Sequence, residues 1–257
     1  MDYLVVCLTA ATASGLTFFS GFGLGTLLMP AFAIFFPVPT AIALTAVVHL
    51  LNNLFKFALL GKYAHRGIVL RFGLPALPSA WLGAWALVAL AHLPPIATYS
   101  LFGLERAIMP IKCVVAILMV GFAFIELLPR FEHLSFQPRY LALGGLLSGF
   151  FGGLSGHQGA FRSAFLAKFG LSKEGFFGTG IAIAILIDIA RITAYAGHFK
   201  SAWLEGNGSL LSAAIASAFL GARVGSRLIQ KVTMQLIQIL VAILLFGIAG
   251  GLASGLI

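Results

Sequence analysis

Residues 152–162 read GGLSGHQGAFR and gather Ser155, His157, Gln158 and Arg162 among glycines, inside an otherwise apolar stretch. Two more polar sets lie in apolar surroundings. Thr45, His49, Asn52, Asn53 and Lys56 are spaced as one stripe of an α-helix, and Asp188, Arg191 and Tyr195 form a second stripe with Thr179 near its start. Hydrogen-bond donors beside Lys56, Arg162 and Arg191 are the parts of an anion site. Asp188 and His49 are groups able to carry a proton. Ser155 raises the question of a nucleophile.

The elements that must carry these residues follow from composition. Of 257 residues, 60% are hydrophobic and 9% charged, and the mean hydropathy is +1.05. A soluble domain of this size needs more charge to cover its surface. The long apolar runs approach the roughly 20 residues that span a bilayer as a helix, whereas barrel strands alternate over about 10 residues. The expected class is an all-α, polytopic membrane protein in a lipid bilayer. The net charge of +9 comes from scattered basic residues, so no nucleic-acid partner is expected. Cys7 and Cys113 show no metal-ligand spacing and read as small buried apolar side chains. The start lacks the positive n-region of a signal peptide, carries Asp2, and reads as a retained span.

The apolar pattern predicts helices over 3–35, 39–60, 68–92, 107–128, 140–169, 175–196, 207–229 and 233–256. The first and fifth are too long for one straight crossing. Each carries a glycine cluster: Gly21, Gly23 and Gly25 in one, Gly152, Gly153, Gly156 and Gly159 in the other. Glycine tolerates the backbone of an unwound membrane helix, so each is expected to be two half-helices around a break. Short-loop charges set Lys62, Arg66, Arg130, Arg139 and Lys200 against Arg106, Lys173 and Lys231, which favours cytoplasmic termini. A break that folds back as a re-entrant hairpin reassigns those sides.

The chain also repeats. SGLTFFSGFGLG at 14–25 aligns with SGFFGGLSGHQG at 148–159, and the same offset of 134 pairs Thr45 with Thr179. Asn53 and Lys56 match Asp188 and Arg191 at an offset of 135, and SAWLGA at 79–84 matches SAFLGA at 217–222. The expected organisation is a first repeat over 1–128, a loop over 129–139 and a second repeat over 140–257. Each repeat then holds four segments, eight in all, with its first helix broken. Counting each broken helix once makes the repeats parallel, and counting it twice makes them inverted. The expectation adopted is four crossings per half. Two halves opening on broken helices is a pattern of gradient-driven transporters, with substrate bound near the midplane between them.

Each polar residue has a plainer reading. Lys56 can snorkel, Asp188 and Arg191 can neutralise each other at i and i+3, Arg223 and Arg227 can anchor at the interface, and His49 and His157 can be satisfied interior histidines. Arg162 resists such a reading, because a guanidinium inside an apolar half-helix demands Asp188, a carbonyl or a bound anion. A half-helix N-terminus at the break adds unpaired N–H groups and partial positive charge. The substrate contacts expected are Lys56, Arg162, Arg191, Asn52, Asn53, Ser155, His157 and Gln158. Asp188 and His49 are the expected carriers of a coupling proton.

Gly153-Leu154-Ser155-Gly156 resembles the nucleophile motif of rhomboid intramembrane proteases. Those enzymes place the partner histidine on a later helix, and the later histidine here is His198, near a loop. Ser20-Gly21 stands at the equivalent place in the first half, which points to shared helix geometry. No enzymatic activity is expected. His49, His157 and Asp188 include no close-spaced ligand pair, and there is no ATPase motif, so neither metal nor cofactor is expected.

Residues 20–45, 148–179 and the paired LGA segments together resemble the sulfite exporter TauE/SafE family, also called the 4-toluene sulfonate uptake permease family. The similarity covers nearly the whole chain. It implies a multi-pass carrier in a bacterial-type inner membrane, a duplicated four-plus-four architecture, and small sulfur-containing anions such as sulfite or sulfonates as substrates. His157, Gln158 and Arg162 depart from the glycine-rich apolar run usual in the family's second motif. Alternatives from other classes are a membrane scaffold whose polar stripes only hold helices together, and a passive anion channel.

Overall fold

The structure is a computed structural model that describes residues 2–20, 24–101, 103–127, 135–196, 208–228 and 234–257. Its described residues form α1 (Asp2–Ser20), α2 (Leu24–Ala33), α3 (Val38–Leu60), α4 (Arg66–Ala91), a hairpin of β1 (Ala97–Leu101) and β2 (Leu104–Ile108), and α5 (Pro110–Leu127). They continue as α6 (Leu141–Ser155), α7 (Gly159–Leu166), α8 (Lys173–Ala196), α9 (Gly208–Leu228) and α10 (Met234–Ala253). Three helical spans, Val38–Tyr63, Arg66–Ala91 and Lys173–Ala196, are long and apolar enough to cross a membrane, and shorter apolar helices accompany them.

The break in the fifth predicted helix turns the chain back, where a single interrupted crossing was expected. α6 ends on Gly156, whose φ of +83° is a left-handed conformation that favours glycine. From there α7 returns along α6: a Cβ on Gly144 would strike the ring of Phe165, and one on Gly152 would touch Gln158. Phe136 N donates to Ala164 O at 3.2 Å, which brings the entry and exit of this helical hairpin to one end of the molecule. A continuous helix would hold residues 144 and 165 some 30 Å apart.

α1 and α2 make a corresponding hairpin at the other end. α3 and α8 are antiparallel, since His49 meets Asp188 while Leu60 lies against Gly178. α9 runs with α3, because five residues separate it from α10, which ends against the β-hairpin between α4 and α5. α1 follows α9, with Tyr3 bonded to Ser209 and Ala11 against Gly221. It therefore rises from the β-hairpin end, and α2 brings the chain back to the start of α3. Gly21 and Gly23 lie outside the described residues.

Close packing depends on missing side chains. Gly145, Gly149 and Gly153, four apart on α6, face the carbonyls of Phe72, Ala76 and Ala80 on α4, where a Cβ would sit 2.1, 2.4 and 2.0 Å from the oxygens. Gly83 returns the contact against Phe150 O at 2.1 Å. Such small-residue stripes let membrane helices approach backbone to backbone. α1 meets α9 likewise, with Gly221 against Ala11 O at 2.0 Å. Gly153, one of the glycines expected at the break, thus serves a helix contact three residues before the turn.

The β-hairpin was not foreseen. Residues 97–106 read as loop and 107 as the start of a helix, but Ala97–Leu101 pairs antiparallel with Leu104–Ile108. It clasps the far end of the chain: Tyr99 Oη donates to Ser254 O, and Arg106 Nη1 to Leu256 O at 3.1 Å.

Candidate functional site

The hairpin tips meet each other and the facing polar stripes of α3 and α8. Asp188 is the centre and is fully buried, the only buried acid among the described residues. From α3, His49 Nδ1 lies 2.6 Å from Oδ2, and Asn53 Nδ2 donates to the same oxygen at 3.4 Å. From its own helix, Arg191 Nε and Nη2 approach Oδ1 at 3.0 and 2.7 Å. From the tip of α6–α7, Gln158 Nε2 donates to Oδ1 at 3.0 Å. A carboxylate taken out of water requires this many donors.

Arg191 also ties the stripe to the hairpin, its Nη1 donating to Gly152 O at 3.2 Å. One turn on, Tyr195 Oη donates to Gly153 O. These carbonyls belong to the last turn of α6, where Gly152 O also accepts from the capping Gly156 N at 3.0 Å. The i, i+3 pairing of Asp188 with Arg191 is therefore observed, and it is also a strut between α8 and the hairpin.

Arg162, on the first turns of α7, does not reach Asp188. Its Nη1 donates to Gln158 Oε1 at 3.3 Å, and its remaining N–H groups have no hydrogen-bond or ion-pair partner among the described residues. α7 also opens without a side-chain cap, which leaves its first N–H groups and their partial positive charge at the tip.

On α3, Lys56 is buried and its Nζ donates to Ser14 O at 3.4 Å, while Ser14 Oγ donates to Asn52 Oδ1 at 2.9 Å. Ser14 escaped the sequence reading. Its signal was available, since the 134-residue offset pairs it with Ser148, which is buried too and donates to Gln158 O at 2.8 Å. Thr45 Oγ1, Asn52 Nδ2 and His157 Nε2 are buried polar atoms without a hydrogen-bond partner among the described residues, a condition folded proteins rarely leave unmet.

His157 stacks on Phe122 of α5 at 4.9 Å between ring centres. Its Nδ1 lies 3.1 Å from Ser155 O and 3.2 Å from Ser155 Oγ, so the Gly-x-Ser-Gly motif does have a histidine within reach. That geometry does not activate the serine. A backbone carbonyl only accepts, so Nδ1 carries the proton, and Ser155 Oγ itself donates to Phe151 O at 3.1 Å.

The site thus sets three basic side chains, Lys56, Arg162 and Arg191, against one carboxylate. Helical hairpins that meet over buried polar stripes define the class of membrane transport proteins. The chain belongs to the sulfite exporter TauE/SafE family, which matches residues 5–252. No curated protein matches it.

Proposed function

We propose that the protein is a gradient-driven carrier of small sulfur-containing oxyanions, sulfite or organosulfonates, bound between the two hairpin tips. The observation that carries this reading is Arg162, whose guanidinium has Gln158 Oε1 as its one partner among the described residues while Asp188 is already taken by Arg191. An oxyanion supplies the missing acceptors in the forked geometry that arginine prefers. Lys56 and the first turn of α7 add positive charge, Asn52, Asn53 and Gln158 offer amide N–H groups, and Ser155 and His157, whose protons face Phe151 O and Ser155 O, border the approach. Asp188, with His49 beside it, is the proposed carrier of a coupling proton, and Arg191 holds its charge at the site while anchored to Gly152 O.

The architecture proposed is two inverted repeats, 1–128 and 140–257 joined by 129–139, with α1/α2, α3, α4 and α5 corresponding to α6/α7, α8, α9 and α10. Two features support it. The corresponding helices α3 and α8 run antiparallel, and the packing exchanges partners, α1 with α9 and α6 with α4. Six helices then cross the bilayer and two hairpins enter from opposite sides. This replaces the parallel arrangement and the straight broken crossings favoured by sequence. Withdrawal of one hairpin or the other opens the site to one side at a time.

Orientation changes with it. Lys62, Arg66, Arg139, Lys168 and Lys173 stand at the end opposite the β-hairpin, while Arg106 and Lys112 stand at the β-hairpin end. The positive-inside bias makes the first end cytoplasmic, so the termini face outward, the reverse of the expectation from loop counting.

The test is uptake of labelled sulfite into proteoliposomes, with a small sulfonate as competitor. Saturable, competed uptake that disappears in a folded Arg162→Gln protein is the expected result. Unchanged uptake by that variant rejects the site, and linear flux rejects a carrier in favour of a channel.

A further inference from the structure

Gln158 lies between a group that only accepts and a group that only donates. Its Nε2 reaches Asp188 Oδ1 at 3.0 Å and its Oε1 reaches Arg162 Nη1 at 3.3 Å. An ionised carboxylate has no proton to give, and a guanidinium has no lone pair to offer. These neighbours therefore fix the amide, nitrogen towards Asp188 and oxygen towards Arg162. The residue is buried, and Ser148 Oγ holds its backbone carbonyl at 2.8 Å. The terminal amide can turn while the residue stays in place.

A proton on Oδ1 reverses one of the two constraints. The carboxylic O–H now needs an acceptor, and Gln158 Oε1 becomes that acceptor if the amide turns over. Arg162 then faces Nε2, donor against donor, and has lost its acceptor. An oxyanion between them takes hydrogen bonds from both. Arg191 stays anchored meanwhile through Gly152 O.

We infer that Gln158 is an amide switch that couples a proton on Asp188 to an anion on Arg162, which makes the protein a proton–anion symporter. This inference rests on the anion-carrier reading above. Binding of either partner favours the other, as linkage requires.

The groups facing Asp188 are few. α3 contributes His49 and Asn53 at Oδ2, with Lys56 a turn further on; α8 contributes Arg191, with Tyr195 beyond it. The hairpin tip contributes Gln158, with Arg162 behind and His157 beside it. Of Asp188's partners, Gln158 is the one that can exchange donor for acceptor while touching a cation outside the Asp188–Arg191 pair. A proton held on His49 instead leaves Asp188 an acceptor, and Gln158 does not turn.

The experiment is calorimetric binding of methanesulfonate to the purified full chain from about pH 3 to pH 8, a window that covers the ordinary titration of a carboxylate as well as that of a histidine while this anion keeps its charge. Affinity of the parent protein is expected to rise about tenfold as pH falls, within the range of coupled sites. Gln158→Met is expected to bind more weakly at low pH and to keep about a twofold dependence, the residue of direct Coulomb coupling. A folded Gln158→Met protein with the parent's full dependence overturns the switch. If that variant does not fold, Asp188→Asn decides. Affinity flat with pH at the parent's low-pH value supports the switch, and retention of the parent's dependence overturns it. Parent binding that is indifferent to pH overturns the switch alone, whereas no binding at any pH overturns the carrier reading with it.

Discussion

Gly25 of α2 and Gly156 of the α6–α7 turn touch: a Cβ on Gly25 would stand 3.1 Å from the Gly156 carbonyl oxygen. The two hairpins, separated by more than a hundred residues, therefore meet tip to tip beside Thr45, whose Cγ2 lies 3.7 Å from the same position. A contact of this kind places whatever binds there under the control of both hairpins.

Gly25→Ala is expected to wedge the tips by a few tenths of an ångström and to cost about 1 kcal/mol, the lower end of overpacking. Sulfite uptake should slow while the thermal midpoint in detergent falls only slightly. Gly25→Val should abolish uptake in protein that still folds. Normal uptake by the valine variant would show that the tips need not meet during transport.

The α4–α6 seam predicts a different outcome. A Cβ on Gly149 would sit 2.4 Å from Ala76 O, and backbone cannot step aside as a side chain can. Gly149→Ala should destabilise by about 2 kcal/mol or more, read as a lower thermal midpoint. Gly121 of α5 is the control, because nothing lies within 4 Å of its missing Cβ. Gly121→Ala should be neutral or stabilising by up to about 1 kcal/mol from helix propensity. Equal effects at the two positions would remove the close-approach argument.

The Asp188–Arg191 pair predicts non-additivity. Asp188→Leu leaves a buried guanidinium with its carboxylate gone and should cost about 3–5 kcal/mol, whereas Asp188→Leu with Arg191→Met should recover much of that loss. Thermal midpoints of the two single variants and the double variant give the coupling. Simple addition of the single effects would mean that the pair is not what holds the hairpin to α8. Uptake should be lost in all three variants.

Orientation has a direct readout. An alkaline phosphatase fused after Ile257 should be active in bacterial cells, because that end is proposed to face outward, and a fluorescent protein fused there should be dark. The opposite pattern would put the Lys62–Lys173 end outside and reverse the proposed sides.

Much of the site was legible in the sequence, because its signals are local. The 45–56 stripe, the spacing of Asp188 and Arg191, and the break at Gly156 all follow from helical period and glycine chemistry. The direction of the chain after the break was not legible. Glycines permit both an interruption and a reversal, and the choice is made by Phe165 packing over Gly144, a contact between residues 21 positions apart. The sides of the loop charges depend on the same choice, since the α6–α7 reversal brings Lys173 to the end that holds Lys62. Arg162 was expected to seek Asp188, a carbonyl or an anion, and it takes the amide oxygen of Gln158. That mediation depends on α8 lying opposite the tip. The strands at 97–108 had no apolar alternation to announce them, and their structure is fixed by what they hold.

What they hold sets an order of events. Tyr99 and Ser254, the two sides of the clasp, are 155 residues apart, so the β-hairpin is made long before its partner exists. Every helix from α5 to α10 must be made before the clasp can close. Nothing local replaces it in the meantime, and contacts of such long sequence separation form late. The clasp is therefore a late fastening, and a chain with the β-hairpin made but α10 not yet docked on it is the form that precedes it.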